Sequence, residues 1–292
     1  MTSDTATHTA DSLPLSSLAD KLRSIISPSY RPWIVHPASY IPDRPKVLTL
    51  WCLGPGLDNY AVSPSIECLQ IQALLRFNAI DFDTKYTNNT HASPNGKLPF
   101  LATPSGHVVL LDKIVDYLKD NNLWTLTSTC SSDTLALVSM VQAHLMPILT
   151  LGLWVERQNY PSTTQDRVLQ TFPYPLSSFM GLMYRKLAYE QLERRSNSII
   201  DSEQMYARAT KALNCLLEYL GDSEYFGGQI PDELDAIAFA CIHLILNAAT
   251  NCSELRSLLT LGKKSARADY SKLIDYSQRI WDTYFSNQPA HQ

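Results

Sequence analysis

The chain has 292 residues, enough for one large domain or two ordinary ones, and its 45% hydrophobic content excludes a mainly disordered protein. Charged residues make up only 18%, and together with 15 tyrosines this points to a surface partly covered by a partner. A net charge of −4 without any dense Lys/Arg stripe excludes a general nucleic-acid binder.

Cys52, Cys68, Cys130, Cys215, Cys241 and Cys252 include no CxxC pair and follow no secretory signal, so they are expected to be reduced and mostly buried. The first twelve residues are Thr/Ser/Asp-rich and read as disordered; they carry two aspartates and no Lys or Arg, unlike a cleaved mitochondrial presequence. Over residues 16–26, Leu18, Ala19, Leu22, Ile25 and Ile26 repeat at helical spacing. That stripe is expected to pack on its own domain rather than on a membrane surface. Residues 27–46 hold Pro28, Pro32, Pro37, Pro42 and Pro45 among aromatics and read as an extended, docked segment.

Residues 47–51 are a short buried-strand pattern, and a glycine-containing loop, 54–62, follows. Ser63-Pro64 then offers an N-cap and an N1 proline, with Glu67 in the first turn of a largely buried helix. Residues 80–86 read as a second strand, completing a βαβ unit. Ser93-Pro94-Asn95-Gly96 is strong turn chemistry, and Lys97-Leu98-Pro99-Phe100-Leu101 opens an apolar strand with proline at its entrance. A turn at Pro104-Ser105-Gly106 leads to a return strand over 108–111, and a closing helix starts at Ile114. A cis peptide at Leu98-Pro99 would suit this corner. The order β-α-β-(Pro)-β-β-α is that of the thioredoxin fold, ending near Trp124.

Beyond Trp124 the pattern is helical throughout. Residues 134–155 contain no Asp, Glu, Lys or Arg, but Gln142, His144 and Pro147 make them poor membrane material, so a buried central helix is expected. Further helices read over 175–195, over 202–220 with Asp201 as N-cap, and over 270–284. In Gly227-Gly228-Gln229-Ile230-Pro231-Asp232-Glu233-Leu234-Asp235-Ala236 the glycines turn the chain and Asp232 caps a helix. Asp235 reaches back as the second half of a capping box, worth on the order of 1 kcal/mol. Residues 236–249 carry one ionisable side chain, His243, and belong inside.

A thioredoxin-like half followed by an all-helical half resembles glutathione transferases: α/β plus all-α. More closely, Cys68-Leu69-Gln70-Ile71-Gln72-Ala73, the Ser93–Phe100 string and Pro231-Asp232-Glu233-Leu234-Asp235-Ala236 resemble the metaxin family, in particular its second member and the fungal counterpart. The likeness spans roughly 46–250. It implies an N-terminal extension (1–45), a thioredoxin-like domain (46–124) and a helical glutathione-transferase-C-terminal-like domain (130–292). It also implies a non-catalytic receptor subunit of the mitochondrial sorting and assembly machinery, peripheral on the cytosolic face of the outer membrane. The implied partners are a β-barrel core subunit, a second metaxin-like subunit and the C-terminal strands of β-barrel precursors. Pro99, Asp232 and Asp235 are structural residues in this reading. Precursor-binding residues are left open, with the loop 54–62 as the candidate because it occupies the site face of the thioredoxin-like half.

The alternative is a soluble glutathione-transferase-like enzyme. Such an enzyme needs a Tyr, Ser or Cys near the end of the first strand and an acidic-Ser pair after the fourth. Here Asp112-Lys113 occupies the second place, and only Tyr60 and Ser63 could serve the first. Trp51-Cys52-Leu53-Gly54-Pro55 has neither a second thiol nor an immediate helix start, so Cys52 reads as buried rather than redox-active. No zinc spacing, P-loop or dinucleotide fingerprint is present, so no catalytic, metal or cofactor residue is expected.

Overall fold

The computed structural model describes residues 45–54, 62–89, 92–126, 132–156, 160, 176–195, 200–247, 253–260 and 269–286. The expected helix over 16–26, nearly all of segment 27–46, most of loop 54–62, Cys130 and Cys252 lie outside them. Residues 43–292 form one compact unit, in which sheet and helices share one hydrophobic cluster.

The sheet has strands β1 (Leu48–Leu53), β2 (Phe82–Thr87), β3 (Phe100–Ala102) and β4 (Val108–Leu110), in the order β2-β1-β3-β4. β1 runs parallel to β2, with Leu48 opposite Phe82, and antiparallel to β3, with Leu50 opposite Leu101. β3 pairs antiparallel with β4, the hairpin expected from the two turns. The crossover from β1 to β2 is α1 (Ile66–Phe77), and α2 (Ile114–Asp120) closes this half after a single 3₁₀ turn.

Two local details differ from the sequence reading. The first helix starts at Ile66, with Ser65 as an N-cap lacking a side-chain bond, because the Ser63 hydroxyl is turned back to Leu53 O (2.5 Å). At the other end Ala79 takes φ +53°, and Ile80 N–H bonds Leu75 O at 3.0 Å, a left-handed closure that delays β2 to Phe82.

The helical half comprises α3 (Ser132–Val155), α4 (Leu176–Arg195), α5 (Ser202–Leu220), α6 (Glu233–Asn247), α7 (Ser253–Thr260) and α8 (Ser271–Tyr284). α3 widens into π turns at Val141–Leu145 and Leu151–Val155. Pro147 explains the first: it has no N–H to donate and its ring crowds the carbonyl four residues back, which a wider turn moves aside. The expected burial of α3 holds from Val141 onward, and before it only Thr134 is buried. Leu145, Ile148, Leu149 and Leu151 are buried, while Leu135 is 53% exposed. α4 explains the asymmetry: Arg185 bonds Val155 O (2.7 Å) and Arg195 bonds Gln142 O (3.3 Å), so α4 runs out before reaching the first turns of α3.

α6 is the hub. Every side chain from Leu234 to Ile245 is buried, and α1 packs against it. Arg76 of α1 bonds Tyr284 O at 2.6 Å and lies 4.3 Å from the Phe285 ring centre, and Phe77 meets Tyr284 edge-on. Burial pulls the Arg76 pKa down to about 10. The Asn78 side-chain oxygen accepts from Thr125 N–H (2.7 Å) and Leu126 N–H (3.3 Å), fastening the segment that leaves the sheet half.

Candidate functional site

In a thioredoxin-like half the ligand face is the corner where the first strand ends, the first helix begins and a proline leads into the next strand. Continuing the β1–β3 register one step beyond Trp51 opposite Phe100 sets Pro99 beside Cys52, and the Leu98–Pro99 peptide is cis. This corner is filled by the protein's own groups. Ser63, fully buried, donates its hydroxyl to Leu53 O and accepts from Ser65 N–H (3.3 Å), while its N–H donates to Gln72 Oε1 (3.0 Å). Gln72 in turn donates to the Tyr86 hydroxyl at 3.4 Å. The Tyr86 ring lies directly on Gly54: a Cβ there would sit 2.3 Å from the ring. Burial pushes the Tyr86 hydroxyl far above its ordinary pKa. Tyr60 lies outside the described residues. Asp112 and Lys113 are exposed on the 3₁₀ turn, and Lys113 pairs along its own chain with Asp116 at 3.4 Å.

The same corner holds a feature that sequence spacing did not reveal. Cys68 occupies the first turn of α1 and is completely buried against Cys52, sixteen positions earlier. Leu53 N–H points at Cys68 Sγ (3.4 Å). Burial raises the Cys68 thiol, but hydrogen bonds from Cys52, Leu53 N–H and Ser65 outweigh it and leave the pKa below the ordinary value. Cys52, the donor of the pair, is pushed well up, first by burial and then by Cys68. The clue in the sequence was present once the helix start is moved to Ile66, since a cysteine in a first turn faces the positive end of the helix dipole.

The second cluster is built around Asp232 and Asp235. Tyr225 and Gly228 exchange backbone hydrogen bonds, and Gly228 takes φ +91°. Asp232 Oδ1 accepts from Asp235 N–H (3.1 Å), and Asp235 Oδ2 accepts from Asp232 N–H (2.8 Å), the reciprocal geometry of a capping box. Asp235 does more than cap. Its carboxylate also accepts from Phe226 N–H (2.9 Å), Gly227 N–H (3.0 Å) and the Tyr276 hydroxyl of α8 (2.8 Å). Burial pushes the Asp235 carboxyl up to about 7, against the backbone donors that favour its ionised form. Four donors from three segments meet at one fully buried side chain. Among the described residues, no group of three or more His, Cys, Asp and Glu could hold a metal ion.

Comparison with known proteins follows the same outline. Residues 68–185 match the family model described as "Outer mitochondrial membrane transport complex protein", and 209–280 match a glutathione S-transferase C-terminal domain. The chain is 30% identical to metaxin-1 of Mus musculus over 225 residues, covering 74% of this chain and 70% of the relative. It is 27% identical to metaxin-3 of Xenopus laevis (84% and 79% covered) and 26% identical to a metaxin-2 homolog of Caenorhabditis elegans (62% and 80%). Among solved structures, glutathione transferases of Phanerochaete chrysosporium and Ceriporiopsis subvermispora superpose with TM-scores of 0.55 and 0.56 at 14% and 15% identity. They cover 83% and 84% of this chain and 99% of each neighbour, a likeness of fold.

Proposed function

The chain belongs to the metaxin family of outer mitochondrial membrane transport complex proteins with a glutathione-transferase-like fold, and from that premise we propose that it is a non-catalytic receptor subunit of the machinery that inserts β-barrel proteins. In this reading it sits peripherally on the cytosolic face of the outer membrane. It binds a β-barrel core subunit and a second metaxin-like subunit, and holds the C-terminal strand of a barrel precursor. Fold alone does not distinguish this from the enzymatic alternative.

The observation that favours the receptor is the filled corner. Activation of a small thiol needs a free hydroxyl or thiol pointing into an open pocket. Here Ser63 is spent on Leu53 and Ser65, and Tyr86 lies over Gly54. Lys113 stands where the family of enzymes needs a small hydroxyl donor, and it turns towards Asp116. What the scaffold retains is a small sheet with β2 and β4 at its edges. A peptide strand could add to such an edge, with backbone hydrogen bonds supplying affinity and alternate side chains supplying selectivity.

The test is purification of the tagged protein from mitochondria in mild detergent, alongside passage of the same protein over immobilised glutathione. Co-purification with a β-barrel membrane protein and flow-through on glutathione are expected. Retention on glutathione with turnover of an electrophile, and no barrel partner, would overturn the reading.

A further inference from the structure

A cysteine becomes reactive when its sulfur carries negative charge, and that requires donors and a positive dipole aimed at it. Cys68 has these. It lies in the first turn of a twelve-residue helix, Leu53 N–H reaches its sulfur at 3.4 Å, and the thiol of Cys52 donates to it from the end of β1. Ser63 is close too, but its one proton is committed to Leu53 O, so the working donors are Leu53 N–H, the Ser65 hydroxyl and the Cys52 thiol. A thiol buried only for packing is inert and needs no such set. Cys241, equally buried, shows the contrast: burial alone raises it, with nothing opposing.

We propose that Cys52 and Cys68 are a redox-responsive dithiol that a peroxide closes into an intramolecular disulfide, pinning the end of β1 to the first turn of α1. In the first step the Cys68 thiolate attacks one peroxide oxygen. The O–O bond breaks, hydroxide leaves and Cys68 becomes a sulfenic acid. In the second step Cys52, deprotonating as it attacks, displaces the hydroxyl from the Cys68 sulfur. The products are the S–S bond and water, so one peroxide is reduced for two thiols oxidised. Both sulfurs are completely buried, so the pair reacts only when this corner opens.

The experiment uses the full chain, treated with hydrogen peroxide, quenched, alkylated in denaturant and mapped by non-reducing peptide mass spectrometry. The expected result is a Cys52–Cys68 linked peptide, two hydrogens lighter than the pair. Its rate of formation should level off at high peroxide, where opening becomes limiting. In Cys52→Ala the resolving thiol is gone, and a dimedone adduct should accumulate on Cys68. In Cys68→Ser no adduct should form on Cys52. Oxidation confined to the exposed Cys215, with Cys52 and Cys68 both recovered alkylated, would overturn the proposal, as would linkage of either residue to any other cysteine. If either variant fails to fold, the wild-type map alone decides.

Discussion

Replacing Asp235 by alanine removes an acceptor shared by Phe226 N–H, Gly227 N–H, Asp232 N–H and the Tyr276 hydroxyl, at 2.8–3.0 Å. Gly227 is exposed and can turn to water, and Tyr276 retains Asp235 O at 3.2 Å. The Phe226 and Asp232 amides are buried and have no substitute. At about 1–3 kcal/mol per stranded buried donor, the two together give an expected destabilisation of about 4 kcal/mol. That is several times the cost of a helix cap alone. Asp232→Ala, which strands only Asp235 N–H, should cost about 1 kcal/mol. Asp235→Asn should fall between them, because its NH₂ group can face the rotatable Tyr276 hydroxyl but must then oppose Phe226 N–H. Urea unfolding followed by circular dichroism gives all three at constant m-value. If Asp235→Ala and Asp232→Ala were equal within error, the convergence of three segments on this carboxylate would carry no energy and the reasoning would fail.

Other outcomes follow from single contacts. Gly54→Ala must push the Tyr86 ring away from the end of β1, and overpacking of this kind should cost about 1–3 kcal/mol in the same assay; a neutral result would mean the corner is not filled. Arg76→Met keeps the buried stem but loses the bond to Tyr284 O and the contact with Phe285, for about 2 kcal/mol; full recovery by Arg76→Lys would contradict the geometry. His243, stacked on Trp281 at 4.7 Å, has its pKa lowered by burial from 6.5 to about 4. The unfolded chain therefore binds its proton first. Stability from this group is complete above pH 6.5 and drains away as the pH falls towards 4, by about 3 kcal/mol. Asp235 is displaced upward to about 7 and contributes with opposite sign across the whole of that window, so the readout is the difference between wild type and His243→Phe. Identical pH slopes for the two proteins would contradict the assignment.

The features legible in the sequence were those whose cause is local. Asp201 caps α5 by accepting Gln204 N–H at 3.1 Å, as its position before a periodic run implied. The turn residues at 93–96 and 104–106 implied the β3–β4 hairpin. Where causes are distant, the reading stopped short. Ser63 looked like a cap, yet its hydroxyl found the Leu53 carbonyl ten positions earlier. Asp235 was seen as half of a capping box, while its tie to Tyr276 spans 41 positions. Cys52 lacks a helix start and a second thiol in its own stretch of chain, and both come with Cys68, sixteen positions on. The apolar run over 134–155 did not say which part of α3 a neighbour would cover.

The central claim is that a thiol-transferase scaffold serves here to hold a peptide strand. The direct measurement is a fluorescence titration of the purified chain with a labelled peptide from the C-terminal strand of a mitochondrial β-barrel precursor. A second peptide, with its alternate apolar residues changed to serine, is the control. The account predicts at least about tenfold tighter binding of the first, a difference of about 1.4 kcal/mol or more, and no displacement by glutathione. Equal affinities, or displacement of the peptide by glutathione, would contradict it.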